Sequence, residues 1–140
     1  NLSFLIISFD IDIMSFHPFA SRLLIDCTPH NSDTCLLTFI LGDIVKIFND
    51  RGACLAGAVV TEDIRERTIY LCTGSWYDPM NPSEKGSLDK HGNPNVLTHD
   101  KRTSKLSQST AAHSALVNIE KFEGDLPEIT VFDSPEMSAE

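Results

Sequence analysis

The apolar residues of this chain come in short alternating runs broken by turn residues, and little of it reads as helix. That pattern confines the chain to sheet architectures. Asp43 to Asn49 is the clearest run, with Val45 and Ile47 on one face and Ile44, Lys46 and Phe48 on the other. Asn49-Asp50-Arg51-Gly52 follows, and Asn, Asp and Gly tolerate the backbone angles of a tight hairpin loop. Cys54 to Thr61 then predicts the returning strand, where Gly57 suggests a bulge or a close backbone approach. Thr68 to Thr73 predicts a third strand, with Ile69 and Leu71 alternating with Tyr70 and Cys72. Ala115 to Phe122 predicts another, with Val117 and Ile119 inward. Asn95 to Thr98 and Ile129 to Phe132 read as short strands, and Asp100 as the cap of a short helix through Gln108. Ser75 to Asn95 is a long irregular loop holding Pro79, Pro82, Pro94, Gly86 and Gly92. A loop of that length in a compact domain usually has a function or is disordered.

The first forty residues say less. Ser3 to Ile13 alternates partially and reads as a strand. Cys27 to Cys35 is polar and turn-rich, and Leu36 to Leu41 is too short to classify by period. The chain begins at Asn1 rather than Met, which reads as a fragment or a processed product. The apolar run Leu2 to Phe9 has no basic leader and is too short to span a bilayer, so no membrane insertion is expected. From Gly42 the pattern is clear, so residues 42–140 are the expected domain and 1–41 a separate, less legible segment.

Charge narrows the partners. The net charge is −9, and Asn118 to Glu140 carries seven acids and one base. Such a surface repels phosphate backbones and anionic lipid, so no nucleic acid partner is expected. Cys27, Cys35, Cys54 and Cys72 show no C-x-x-C pair. They read as free thiols, Cys54 and Cys72 lying in apolar runs. With His17, His30, His91, His99 and His113 they do not give zinc-site spacing, so no metal ligands are expected.

Three polar clusters remain. His91-Gly92-Asn93-Pro94-Asn95 sets amide donors beside acceptors, as the edge of a purine or pterin ring does. Gly92 would allow close approach, and Pro94 would stiffen the loop. A plain turn with self-bonded Asn side chains fits the same residues. Thr103 to Thr110, beside Lys101, Arg102 and Lys105, suits phosphate oxygens at a helix start or a simple exposed helix. In Gly74-Ser75-Trp76-Tyr77-Asp78-Pro79, Trp76 would stack on a ring or fill the core. Asp78 reads as an acceptor for turn amides rather than a base. No G-x-S-x-G elbow, Walker A loop or G-x-G-x-x-G occurs. Glu62-Asp63 lies in an exposed-looking turn, and no catalytic residues are assigned.

In this order the clusters resemble the end of the dimethyl-sulfoxide-reductase family, on its trimethylamine N-oxide and biotin sulfoxide reductase side. The matching stretches are GDIVKIFNDRGACLAGAVVTEDIR (Gly42 to Arg65), TGSWYDP (Thr73 to Pro79), GSLDKHGNPNVLTHD (Gly86 to Asp100), TSKLSQ (Thr103 to Gln108), AHSALVNIEKF (Ala112 to Phe122) and GDLPEITVFDSP (Gly124 to Pro135). The resemblance implies a mainly β fold, a six-stranded double-psi β-barrel with short helices and a long loop. It implies binding of bis(molybdopterin guanine dinucleotide) molybdenum, with His91, Asn93 and Asn95 facing a pterin or its phosphates and Ser104 and Gln108 nearby. The partners implied are the remaining domains of a molybdenum oxidoreductase that reduces N-oxides or S-oxides, in periplasm or cytoplasm. Metal ligand and substrate funnel belong to those domains, so the isolated chain is expected to show negligible reductase activity. A β module that kept the fold and lost the cofactor is the alternative. Glu66-Arg67 stands where such sequences usually show Pro-Gly, Arg102 where Gly precedes Thr-Ser, and Ser109 where Gly follows Gln.

Overall fold

The structure, a computed structural model, describes residues 4–7, 22–26, 40–65, 67–106 and 115–134. It is mainly β. The strands are β1 (Phe4–Ile7), β2 (Arg22–Asp26), β3 (Ile44–Phe48), β4 (Ala53–Thr61), β5 (Thr68–Leu71) and β6 (Leu116–Lys121). The one helical element among the described residues is a 3-10 turn, Pro94–Val96. No helix there is long and apolar enough to cross a membrane.

Asn49 makes the β3–β4 hairpin. Its side-chain oxygen accepts from the Arg51 amide at 2.9 Å, and its own amide donates to the Gly52 carbonyl at 3.0 Å. β3 and β4 then pair antiparallel from Phe48–Ala53 to Ile44–Gly57. β6 adds antiparallel to the other edge of β3, with Ile47 opposite Ile119. Beyond β4 the order continues with β2 in parallel, β5 antiparallel to β2, and β1 parallel to β5. The β1–β6 pairing joins the two ends of this ladder. Two strands thus come from the segment before Gly42.

Alternation delivers the core. Val45 and Ile47, Cys54, Ala56 and Ala58, Ile69 and Leu71, and Val117 and Ile119 face inward together, with Leu97 and Ala115. Leu55 on β4 is also fully buried but lies outside that cluster. The long loop covers it: Asp89 donates its amide to the Ala53 carbonyl at 2.9 Å and accepts from the Leu55 amide at 3.0 Å.

Four expectations fail for local reasons. Asn95 to Thr98 is not a strand, because Pro94 starts a 3-10 turn at Asn93 and the Leu97 amide closes onto the Pro94 carbonyl. Proline suits that first position, where its missing N–H is not needed. Ile129 to Phe132 is not a strand either: the Thr130 and Val131 amides go to the Asp78 carboxylate. Asp100 to Leu106, the described part of the expected helix, has none. There the Ser104 hydroxyl accepts from the Leu106 amide at 3.3 Å, a local bond that competes with helix. Gly57 marks no bulge, since its pairing register is continuous and nothing lies within 4 Å of where a Cβ would sit.

The altered turn before β5 keeps a glycine-like backbone without the glycine. Arg67 has φ +58°, the only positive φ outside glycine among the described residues. An L side chain there costs about 1–2 kcal/mol, partly offset by the looser unfolded chain of glycine. Arg67→Gly should therefore stabilise the fold by about 0.5–1 kcal/mol, read as a midpoint rise of a few degrees. A lower midpoint would mean that the arginine side chain makes a compensating contact.

Candidate functional site

The site is built on Asp89, a carboxylate with no exposed surface. One oxygen accepts from the Asp78 amide at 2.7 Å. The other accepts from the amides of His91 at 3.2 Å and Asn93 at 2.7 Å. Side chain and backbone of Asp89 together clamp the loop to β4 and set the direction of 91–93. Around it, Met80 donates to the Leu88 carbonyl at 2.9 Å and Lys90 to the Asp78 carbonyl at 2.8 Å, so the two arms of the loop pair.

Asp78 ties in the end of the described chain. Its carboxylate accepts from the Thr130 amide at 2.8 Å, the Val131 amide at 3.2 Å and the Thr130 hydroxyl at 2.9 Å. Lys90 lies 3.2 Å from it, and both side chains are nearly buried. Burial pushes the Asp78 carboxyl up, but the Thr130 bonds and the Lys90 ammonium outweigh it and hold the group below its ordinary value. This bears out Asp78 as an acceptor for backbone amides, although the amides belong to a distant segment and not to its own turn.

Asn93 and Asn95 come together at one open cleft of about 430 Å³, beside Arg51, Gly52, Tyr77 and Ser87. Asn93 is nearly buried, and its side-chain oxygen accepts from the Asn95 amide at 2.9 Å. The self-bonded turn is thus real, and it leaves the Asn93 NH2 group as the donor offered to the cleft. Asn95 is exposed. Gly52 lets the hairpin meet the loop, since a Cβ there would sit 2.7 Å from the Val96 carbonyl oxygen. Asn49 donates to the Leu97 carbonyl at 2.9 Å and Arg51 Nε to the same oxygen at 2.8 Å, which fixes both walls.

The other expected residues stand elsewhere. His91 does not line the cleft but lies beneath the loop, 3% exposed. Its Nδ1 is 3.2 Å from the Trp76 carbonyl oxygen, which only accepts, so Nδ1 carries the proton. The ring packs edge-to-face with Phe132 at 5.3 Å. Nε2 is buried and has no hydrogen-bond partner among the described residues. Ser104 is exposed and outside the cleft, and Gln108 lies outside the described residues. Trp76 does not fill the core: it is 66% exposed, with its backbone rather than its ring tied to His91. Cys54 is buried and free, its thiol pushed well up by burial and by the nearby Asp89 carboxylate. Cys72 is free and half-buried, while Cys27 and Cys35 lie outside the described residues.

Asp89, Asn49 and Arg51 escaped sequence reading. Each sits in a turn-like stretch whose composition suits many roles. The available signal was the acid two residues before a His-Gly-Asn turn, the spacing at which an Asp side chain reaches later amides.

The cleft sets paired amides beside a turn stiffened by Pro94. Residues 30–116 match the molydopterin dinucleotide binding domain. The chain belongs to that family. Similar relatives of this molydopterin-binding domain include a dimethyl sulfoxide/trimethylamine N-oxide reductase of Cereibacter sphaeroides, 41% identical over 78% of the chain and 13% of the relative. A trimethylamine-N-oxide reductase of Salmonella typhi is 48% identical over 67% of the chain and 11% of the relative. One of Haemophilus influenzae is 52% identical over 70% of the chain and 12% of the relative. The chain thus spans about an eighth of the length of the curated relatives it matches.

Proposed function

We propose that this chain is the cofactor-binding, carboxy-terminal part of a molybdenum oxidoreductase that reduces N-oxides or S-oxides. In this reading the cleft holds the pterin of one guanine dinucleotide of the bis(molybdopterin guanine dinucleotide) cofactor. The joined ladder is then the six-stranded double-psi barrel, with 42–140 as the binding domain and β1 and β2 supplied by the segment before it. One observation carries the reading: Asn93 and Asn95 share a cleft whose walls are pinned by Asp89 and Asn49. Preset donors and acceptors lose little freedom on binding.

The structure fits the group in two further respects. Gly52 lines the cleft without a side chain, so a planar ring can approach the hairpin backbone closely. Among the described residues the buried His91 Nε2, an acceptor, has no hydrogen-bond partner, and a donor from further chain or cofactor would satisfy it. The cofactor supplies the redox chemistry when bound. This chain's residues orient it and exclude water: Asn93 donates, Asn95 accepts and donates, and Tyr77 offers an aromatic face at the rim. Ser104 and Gln108 are proposed, on the family resemblance, as further hydrogen-bonding partners of the cofactor. The remaining domains of the longer enzyme would supply the metal ligand and the substrate path.

The test is binding of purified molybdopterin guanine dinucleotide, followed by pterin fluorescence. Asn95 is exposed, so Asn95→Ala should leave the fold intact and weaken binding about tenfold, the loss of one or two hydrogen bonds. Undiminished affinity in that variant, or no binding by the unmodified chain, would overturn the proposal.

A further inference from the structure

After β6, residues 123–134 run on without strand or helix and bury no side chain. β6 itself sends Val117 and Ile119 into the core. A segment that adds nothing to the core is held by its polar contacts, and such a segment opens at less cost than the fold as a whole.

Those contacts converge on one place. Among the described residues, every hydrogen bond from this segment to the rest of the chain goes to Asp78 or Lys90. The Thr130 amide and hydroxyl and the Val131 amide donate to the Asp78 carboxylate, and the Lys90 ammonium donates to the Thr130 hydroxyl oxygen at 2.9 Å. Phe132 adds its ring against His91.

Asp78 faces two ways. Its carboxylate holds 130 and 131, while its own amide donates to one oxygen of Asp89 at 2.7 Å. The other oxygen of Asp89 holds the Asn93 amide, and the Asn93 side-chain oxygen holds the Asn95 amide. An unbroken run of hydrogen bonds thus joins Thr130 to the cleft amides through two buried carboxylates. His91 supplies a parallel contact, since its ring meets Phe132 and its Nδ1 donates to the Trp76 carbonyl, on the arm that carries Asp78. Bonds to charged acceptors are the strong ones, and in a buried network each depends on the placement of the next.

We propose that residues 123–134 form a strap whose docking on Asp78 is coupled, through Asp89, to the order of Asn93 and Asn95. With the strap closed the cleft amides are set. With it lifted, Asp78 and Lys90 turn to water, the arm at 76–80 loses its outer support, and the amides loosen. A contact that draws the strap from Asp78 would thereby act on the cleft without touching it, and ordering of the cleft would tighten the strap by the same coupling. The device belongs to loop and strap alone and stands whether or not the cleft takes a dinucleotide.

The experiment is amide hydrogen exchange on the full chain, followed by NMR. In the unmodified protein the Thr130 and Val131 amides should exchange together, and faster than those of Ile47 and Ile119, because the strap opens without the strands. Thr130→Pro removes two of the donors to Asp78 at a residue that does not line the cleft. It should speed exchange at Val131 about tenfold, the loss of a bond to a charged acceptor. It should also shift the Asn93 side-chain NH2 signals and speed the Asn93 backbone amide by about three- to tenfold, with Ile47 changed less. Thr130→Val, which loses only the hydroxyl, should move the same signals less, and Thr130→Ser should leave them in place. If proline at 130 prevents folding, Thr130→Val carries the same comparison. A freed Val131 amide with Asn93 and Asn95 unmoved would overturn the coupling. A Val131 amide that stays as protected as in the parent, or that exchanges as slowly as Ile47 in the unmodified protein, would overturn the strap.

Discussion

Asp89→Ala should destabilise the domain by about 3–4 kcal/mol and lower its thermal midpoint by roughly 10–15 °C. The carboxylate is fully buried and accepts from the amides of Asp78, His91 and Asn93. Alanine leaves three donors without an acceptor where water has no ready access, and buried unpaired donors cost about 1–3 kcal/mol each, less than additively. Asp89→Asn separates charge from geometry. Its oxygen can still serve His91 and Asn93, but its NH2 would face the Asp78 N–H, donor against donor. Asparagine should therefore recover part of the loss. The proposed pterin site should fail with the loop, since Asn93 is one of the anchored amides. Urea unfolding of both variants is the check, and an alanine variant within about 1 kcal/mol of the parent would show that the loop is held by other means.

The Asp78–Lys90 pair carries the second large effect. Lys90→Met leaves a nearly buried carboxylate without its cation. Stripping one partner from a buried pair costs about 3–5 kcal/mol, but the Thr130 and Val131 donors remain. A loss of about 2–3 kcal/mol is therefore expected, and adding Asp78→Asn should restore part of it. Acid probes the same contact. Because the folded Asp78 carboxyl is held below its ordinary value of 3.8, the stabilisation is present above that value. It is lost as pH falls through the lowered folded one. Asp43, lowered chiefly by its bond to Lys121, adds in the same direction. The difference in acid sensitivity between the parent and Asp78→Asn isolates Asp78. Equal slopes of stability against pH below about 4 would discount the pair.

Some of this was legible in the residues. Period-two alternation marked β3, β4, β5 and β6 because each has one face on the core and one outside it. The hairpin was marked by the Asn49 to Gly52 turn. The amide-rich loop stood out because Asn, Gly and Pro have few other reasons to cluster. Short elements failed where a nearby side chain outbid the backbone partner: Asn93 for Asn95, Asp78 for Thr130 and Val131, Ser104 for Leu106. Ser104 and His91 were grouped with the amides through the resemblance, and linear order does not say which side of a loop a residue takes.

Sequence alone determined strands β3 to β6, the hairpin, their inward faces and the chemical character of the amide loop, since these depend on neighbours within a few residues; β2 carried no such signal. Tertiary structure alone decided that Asp89 clamps the loop, that Asp78 and Lys90 meet Thr130, and that Asn93 and Asn95 reach a cleft while His91 is buried behind them. The deciding ones, Asp78 with Thr130 and Asp89 with Leu55, join segments tens of residues apart, and their energies come from burial and charge in a shared interior that no local pattern encodes.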